Sequence, residues 1–152
     1  DLKDETLTGE ELRTVIERVH EARKNSTVQV IFKDPLDNVF NKELRDASLE
    51  NGCVMGGCRA GIESIFIDPA AQIFPCPFLR IPIGNALTDD LKKAFCESPI
   101  LNALRNSGNY EKCNGCGNWL ICRGCRAEPW MREGSLLGPD RGCWRQTQLG
   151  EY

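Results

Sequence analysis

Apolar positions in residues 8–24, TGEELRTVIERVHEARK, recur at helical spacing, with Leu12, Val15, Ile16 and Val19 at i, i+3, i+4 and i+7. Thr8 and Glu11 stand three apart at the start, the pattern of a capping box, so an amphipathic helix is predicted with one face against a sheet. His20 falls beside the apolar stripe and reads as a surface or boundary residue rather than a ligand. The pattern then changes. TVQVIFKDP is rich in β-branched residues and is closed by Asp34-Pro35, which predicts a buried strand followed by a stop. A helix feeding such a strand is one αβ step. A polar helical stretch is expected next, around residues 39–50.

Glycine and cysteine become prominent at NGCVMGGCRAG, which sets an expected boundary near Gly52 and divides the chain into residues 1–51 and 52–152. ESIFIDPAAQIFPC gives two short apolar runs around the turn pair Asp68-Pro69, so a hairpin is predicted whose second strand delivers Cys76, held between Pro75 and Pro77. Two short packing helices follow: TDDLKKAF, with acidic residues in its first turn, and SPILNALRN, with Ser98 as cap and Pro99 at the first helical position.

Hydrophobic residues make up 41% of the 152, enough for one modest core with an appendage. The net charge of -3, with no run of basic residues, leaves no field to attract a phosphate backbone and argues against nucleic acid as a partner. Stretches such as VQVIF and IFPCPFL fall well short of the roughly 18 apolar residues of a membrane span, and no signal-peptide pattern opens the chain. A cytoplasmic protein without a membrane partner is expected. The chain begins with Asp1 rather than Met and its first elements read like the tail of something longer, so a fragment is expected.

Nine cysteines change the picture most. They stand at 53, 58, 76, 96, 113, 116, 122, 125 and 143, and CNGCGNWLICRGC packs four of them into residues 113–125. An odd count in a chain of this length lowers the disulfide reading and raises metal ligation. In C-x2-C a tight turn lets two sulfurs converge on one centre, while glycines such as Gly56, Gly57, Gly115, Gly117 and Gly124 keep side chains clear and leave N–H groups facing sulfur. Cys76-Pro77 repeats the Cys-Pro pairing that ends a bacterial ferredoxin cluster run. Four-cysteine zinc sites also use paired C-x2-C units, normally held farther apart, so zinc is the rival to an iron-sulfur centre.

From Cys53 to Trp144 the phrases CVMGGCRAGIESIFIDPAAQIFPCPFLRIPIGN, ESPILNALR, CNGCGNWLICRGCRA and GPDRGCWR resemble the SPASM domain, the auxiliary-cluster region at the C-terminal end of many radical S-adenosylmethionine (SAM) enzymes. The resemblance implies an α+β fold: a small, loop-rich iron-sulfur domain of hairpin and helices, preceded by the last αβ step of a partial (β/α) barrel. It implies two [4Fe-4S] clusters, the first on Cys53, Cys58, Cys76 and Cys125 and the second on Cys113, Cys116, Cys122 and Cys143. Cys96 falls outside both sets, with the expected role of a small, partly buried residue between two helices. Members often carry glycine where this chain has Ala71, so the turn after Asp68-Pro69 is expected to differ slightly, and C-x2-C at Cys122 and Cys125 is closer to the branch of heme-biosynthesis and heme d1 maturases.

The function so implied is to relay electrons to or from a substrate radical and to close one side of the active site of a maturase acting on a peptide or tetrapyrrole. The implied partners are an upstream radical SAM core, in the same or a separate chain and holding the S-adenosylmethionine, and a donor such as ferredoxin or flavodoxin. The alternatives are a zinc-stabilised interaction module and a standalone ferredoxin-like subunit. Arg59, Arg80, Arg123 and Arg126 border the cysteine motifs and either orient an acidic substrate or pair with nearby carboxylates. Trp119, Trp130 and Trp144 either wall the clusters from water or pack the core. The C-x3-C-x2-C triplet with which the family binds its SAM-cleaving cluster does not occur in this sequence. Incubated with S-adenosylmethionine and a strong reductant, the 152-residue chain is therefore expected to yield no 5'-deoxyadenosine by liquid chromatography.

Overall fold

The computed structural model describes residues 6–146, an α+β arrangement of short helices around a small antiparallel sheet. Helix α1, Gly9–Asn25, starts on the predicted capping box: Thr8 Oγ1 accepts from the Glu11 amide, and Glu11 Oε2 accepts from the Thr8 amide at 2.8 Å. Glu10 and Glu11 in the first turn and Arg23 and Lys24 in the last complement the helix dipole. Ile16 of the apolar stripe is fully buried against Leu36, Cys122 and Trp144. At the start of α1, a Cβ on Gly9 would stand 3.0 Å from the Trp144 backbone, so helix and tail touch main chain to main chain.

The strand expected in TVQVIFKDP does not form. Residues 28–34 are irregular, Val28 and Ile31 are exposed, and the Val30 carbonyl accepts from Arg23 Nε at 3.0 Å instead of joining a ladder. The reason is lack of a partner: a β-rich run becomes a strand only beside another, and among the described residues none flanks it. The segment continues into the 3-10 helix Pro35–Phe40, capped by Asp34, whose carboxylate accepts from the Leu36 amide at 2.9 Å. Asp37 on this turn takes a two-pronged contact from Arg23, 3.0 Å at each oxygen, and lies 2.8 Å from His20 Nε2. His20 is thus a boundary residue that helps tie α1 to the turn. Helix α2, Lys42–Asn51, is capped by Asn41 and ends at Gly52 in the left-handed conformation.

The hairpin forms as predicted. Strand β1, Phe66–Ile67, pairs antiparallel with β2, Gln72–Phe74, with Phe66 opposite Phe74 and Ile67 opposite Ile73. A third strand, β3 (Gly84–Asn85), pairs antiparallel with the other edge of β2 and had no signal in the apolar pattern. Helices α3, Leu91–Glu97, and α4, Pro99–Arg105, are capped by Asp90 and Ser98, and Pro99 opens α4 as read from the sequence. Leu101 and Leu104 of α4 join Leu79, Tyr110 and Ala127 in the larger core. Ala127 begins helix α5, Ala127–Glu133, which closes at Gly134. No helix among the described residues is long and apolar enough to cross a membrane.

Ala71 sits at φ 61° in the turn between β1 and β2, the backbone region that glycine favours. The turn keeps its geometry because Asp68 Oδ1 accepts from the amides of both Ala70 and Gln72, at 2.9 and 3.0 Å. The expected departure in shape is therefore absorbed as strain on one alanine. Ala71→Gly is expected to stabilise the fold by about 1 kcal/mol, seen as a rise in Tm of about 3 °C.

Candidate metal centre

Two backbone contacts bring the cysteine-bearing segments together: the Met55 amide donates to Leu120 O at 3.1 Å and the Cys58 amide to Cys122 O at 2.9 Å. Between them lies Gly57, at φ 72°, where a Cβ would fall 2.0 Å from the Cys122 carbonyl oxygen. No other residue allows that approach.

Around this junction the sulfurs gather at two cavities. Cys113, Cys116, Cys122 and Cys143 line one together with Leu36, Val39, Trp119, Arg123 and Asp140, a cavity of about 30 Å³. These four are the set assigned to the second cluster by resemblance. Cys58, Cys76 and Cys125 of the first set share a wider cleft with Phe32, Pro35 and Arg59. Cys53 is not on that wall. It is exposed, on the short loop after Gly52, with its amide donating to Ser48 O at 3.2 Å. Cys96 is exposed inside α3, a correction to the partly buried residue between helices expected from sequence; that helix turns Phe95, not Cys96, to the core. All nine cysteines are free thiols, and among the described residues no three Cys, His, Asp or Glu side chains close around a single ion.

The local geometry suits sulfur ligands. The Gly124 amide donates to Cys122 Sγ at 3.4 Å, an N–H group facing sulfur as the glycine pattern implied, and the Leu79 amide donates to Cys76 Sγ at 3.2 Å, a contact the sequence pattern had not shown. Burial raises the thiol pKa of Cys113 and Cys122 and pushes Cys125 up to about 11, so these sulfurs hold their protons until a metal displaces them.

Of the four arginines singled out, Arg59 pairs with Glu63 and Arg80 lies over Phe74, 4.6 Å from the ring centroid, both on the surface. Arg123 and Arg126 are buried, at 2% and 1% exposure. Arg126 Nη1 donates to Gly138 O at 2.9 Å and its guanidinium covers the Tyr110 ring. Arg123 occupies φ 64°, which costs a non-glycine residue roughly 1–2 kcal/mol, and none of its three side-chain nitrogens has a hydrogen-bond partner. Desolvation holds its pKa below the ordinary value, with Cys58 opposing that shift. Trp119 lines the four-cysteine cavity and meets Tyr110 edge-on at 4.7 Å, Trp144 packs beside Cys122 and Cys143, and Trp130 packs on the larger core.

Sequence reasoning missed Asp140. It is 4% exposed, accepts from the Cys125 amide at 2.6 Å and the Gly142 amide at 2.9 Å, and so holds the loop before Cys143 against the second C-x2-C; burial raises its pKa, partly offset by those two amides. Its place in GPDRGC, beside a cysteine, was the available signal.

Residues 58–117 match SPASM, an iron-sulfur cluster-binding domain. The match falls within the region, Cys53 to Trp144, whose cysteine motifs resemble that domain. It is 34% identical over 91 residues to mycofactocin maturase MftC of Mycobacterium ulcerans, covering 57% of this chain and 25% of that protein. It is 24% identical over 156 residues to an AdoMet-dependent heme synthase of Oleidesulfovibrio alaskensis, covering 95% of this chain and 40% of the relative. A Methanosarcina barkeri AdoMet-dependent heme synthase is 26% identical over 88 residues, 57% of this chain and 25% of the relative. The chain thus spans less than half the length of each of these relatives. No solved structure matches it.

Gly57→Ala is expected to cost about 3 kcal/mol or more, because the added methyl group meets main chain that cannot rotate away. Chemical denaturation of the metal-free chain measures the loss.

Proposed function

We propose that this chain is the auxiliary-cluster part of a radical SAM enzyme, with residues 1–51 the end of the radical-generating partial barrel and residues 52–152 the SPASM domain. The observation that carries the reading is the cavity shared by Cys113, Cys116, Cys122 and Cys143, where the tail brings Cys143 to the three cysteines of residues 113–122 in a space also lined by Trp119 and Arg123. Such a wall of soft sulfur donors, with two buried guanidiniums nearby, suits a [4Fe-4S] cluster.

In this reading Cys113, Cys116, Cys122 and Cys143 hold one cluster, and Cys58, Cys76 and Cys125 hold another with Cys53 swinging in from its exposed loop. When bound, the clusters supply one-electron transfer to or from a substrate radical generated on the upstream core. The chain's own residues do the rest. Cys125 ties the cysteine-rich run of residues 113–125 to the hairpin, Asp140 fixes the loop that presents Cys143, Leu36 and Val39 cover the four-cysteine cavity, and Trp119 excludes water from it. Similarity to a mycofactocin maturase and to heme synthases favours maturation of a peptide or of a heme precursor as the reaction class, with exposed Arg80 available to an acidic substrate. A reduced ferredoxin or flavodoxin suits the donor role.

Anaerobic reconstitution tests the assignment. The chain is expected to bind about eight irons. Cys96→Ser is expected to leave iron content and the electron paramagnetic resonance spectrum intact, whereas Cys143→Ser removes or alters one cluster signal and spares the other. A colourless protein holding stoichiometric zinc and no iron would instead establish a zinc-stabilised module.

A further inference from the structure

Arg123 is the first of the two residues between Cys122 and Cys125 in CRGC, and its guanidinium is one of the most deeply buried charges among the described residues. Its Nε, Nη1 and Nη2 have no hydrogen-bond partner, and the Trp119 ring centroid lies 5.9 Å away, at the outer limit of a cation–π contact. A buried cation left this way is unstable unless an anion meets it. A cluster held by the neighbouring cysteines as thiolates would supply one. Arg123 lines the cavity of Cys113, Cys116, Cys122 and Cys143, and the thiols that act on its charge are Cys58 of the first set and Cys122 of the second. The backbone adds a second sign that this side chain is placed for a purpose, since the position carries positive φ and yet holds arginine, while glycine follows it.

We propose that Arg123 is the counter-charge of the cluster site: its guanidinium donates hydrogen bonds to cysteine sulfur or cluster sulfide where the two cysteine sets meet, and thereby raises the reduction potential. This rests on the iron-sulfur reading above. A fixed positive charge favours the reduced form, which carries one more electron and gains no proton, and in a water-excluded site its effect is weakly screened. Arg126, already engaged with Gly138 and Tyr110, contributes to the same field with less freedom to reach sulfur.

The test is an anaerobic redox titration of the reconstituted chain, followed by electron paramagnetic resonance, with iron counted in each sample. Arg123→Met keeps the packing volume and removes the charge, and Arg123→Gly removes the charge while relieving the left-handed strain. Both are expected to retain iron and to lower at least one midpoint potential by about 59 mV, a tenfold fall in the reduced-to-oxidised ratio at fixed potential. Arg123→Lys is expected to recover at least half of that shift. Unchanged potentials in the iron-loaded Met and Gly variants would overturn the proposal, as would loss of iron from all three variants, which would give Arg123 a folding role only. A wild-type chain that takes up no iron would overturn the iron-sulfur reading itself, and this inference with it.

Discussion

The close approach of Gly57 to the Cys122 carbonyl is the constraint on which the rest of the site depends. It sets the Cys58 amide 2.9 Å from Cys122 O, and through that bond it ties the segment leaving α2 to the segment that carries the second C-x2-C. With those two segments of main chain in contact, sulfurs far apart in sequence line two cavities, and Arg123, buried like Arg126, lines the four-cysteine one. A side chain at position 57 would separate the two segments and the cavities together.

Two hydrophobic clusters meet at this junction. Cys76, Cys113 and Cys125 pack on the cluster built by Leu79, Leu101, Leu104, Tyr110 and Ala127, while Cys122 and Cys143 belong with Ile16, Leu36 and Trp144. The second cluster takes residues from both sides of Gly52, so the cysteine-rich part is walled by elements of the first 51 residues. Neither apolar cluster is large. A chain of this kind gains folding free energy when metal converts several neutral, buried thiols into shared ligands, and gives up their protons as it does so.

Much was legible in the sequence where the physics is local. The capping box of α1, the Asp68 turn, the Ser98-Pro99 start of α4 and the glycine amide aimed at Cys122 each depend on a few neighbouring residues, and each is present as read. Strand pairing was less legible. TVQVIFKDP has the composition of a strand but no partner, whereas Gly84–Asn85 has no strand composition and pairs because β2 offers an open edge.

The sequence by itself determined the chemistry: soft sulfur donors at close spacing, and glycines where main chain must pass main chain. Only the tertiary structure decided which sulfurs share a cavity, that Cys53 stands outside its group while Cys113, Cys116, Cys122 and Cys143 stand together, and that Arg123 and Arg126 are buried while Arg59 and Arg80 are on the surface. The reason is that spacing constrains a side chain only within a turn or two. Burial and long-range proximity are settled by how the helices, the hairpin and the tail close on one another, which no short stretch of residues encodes alone.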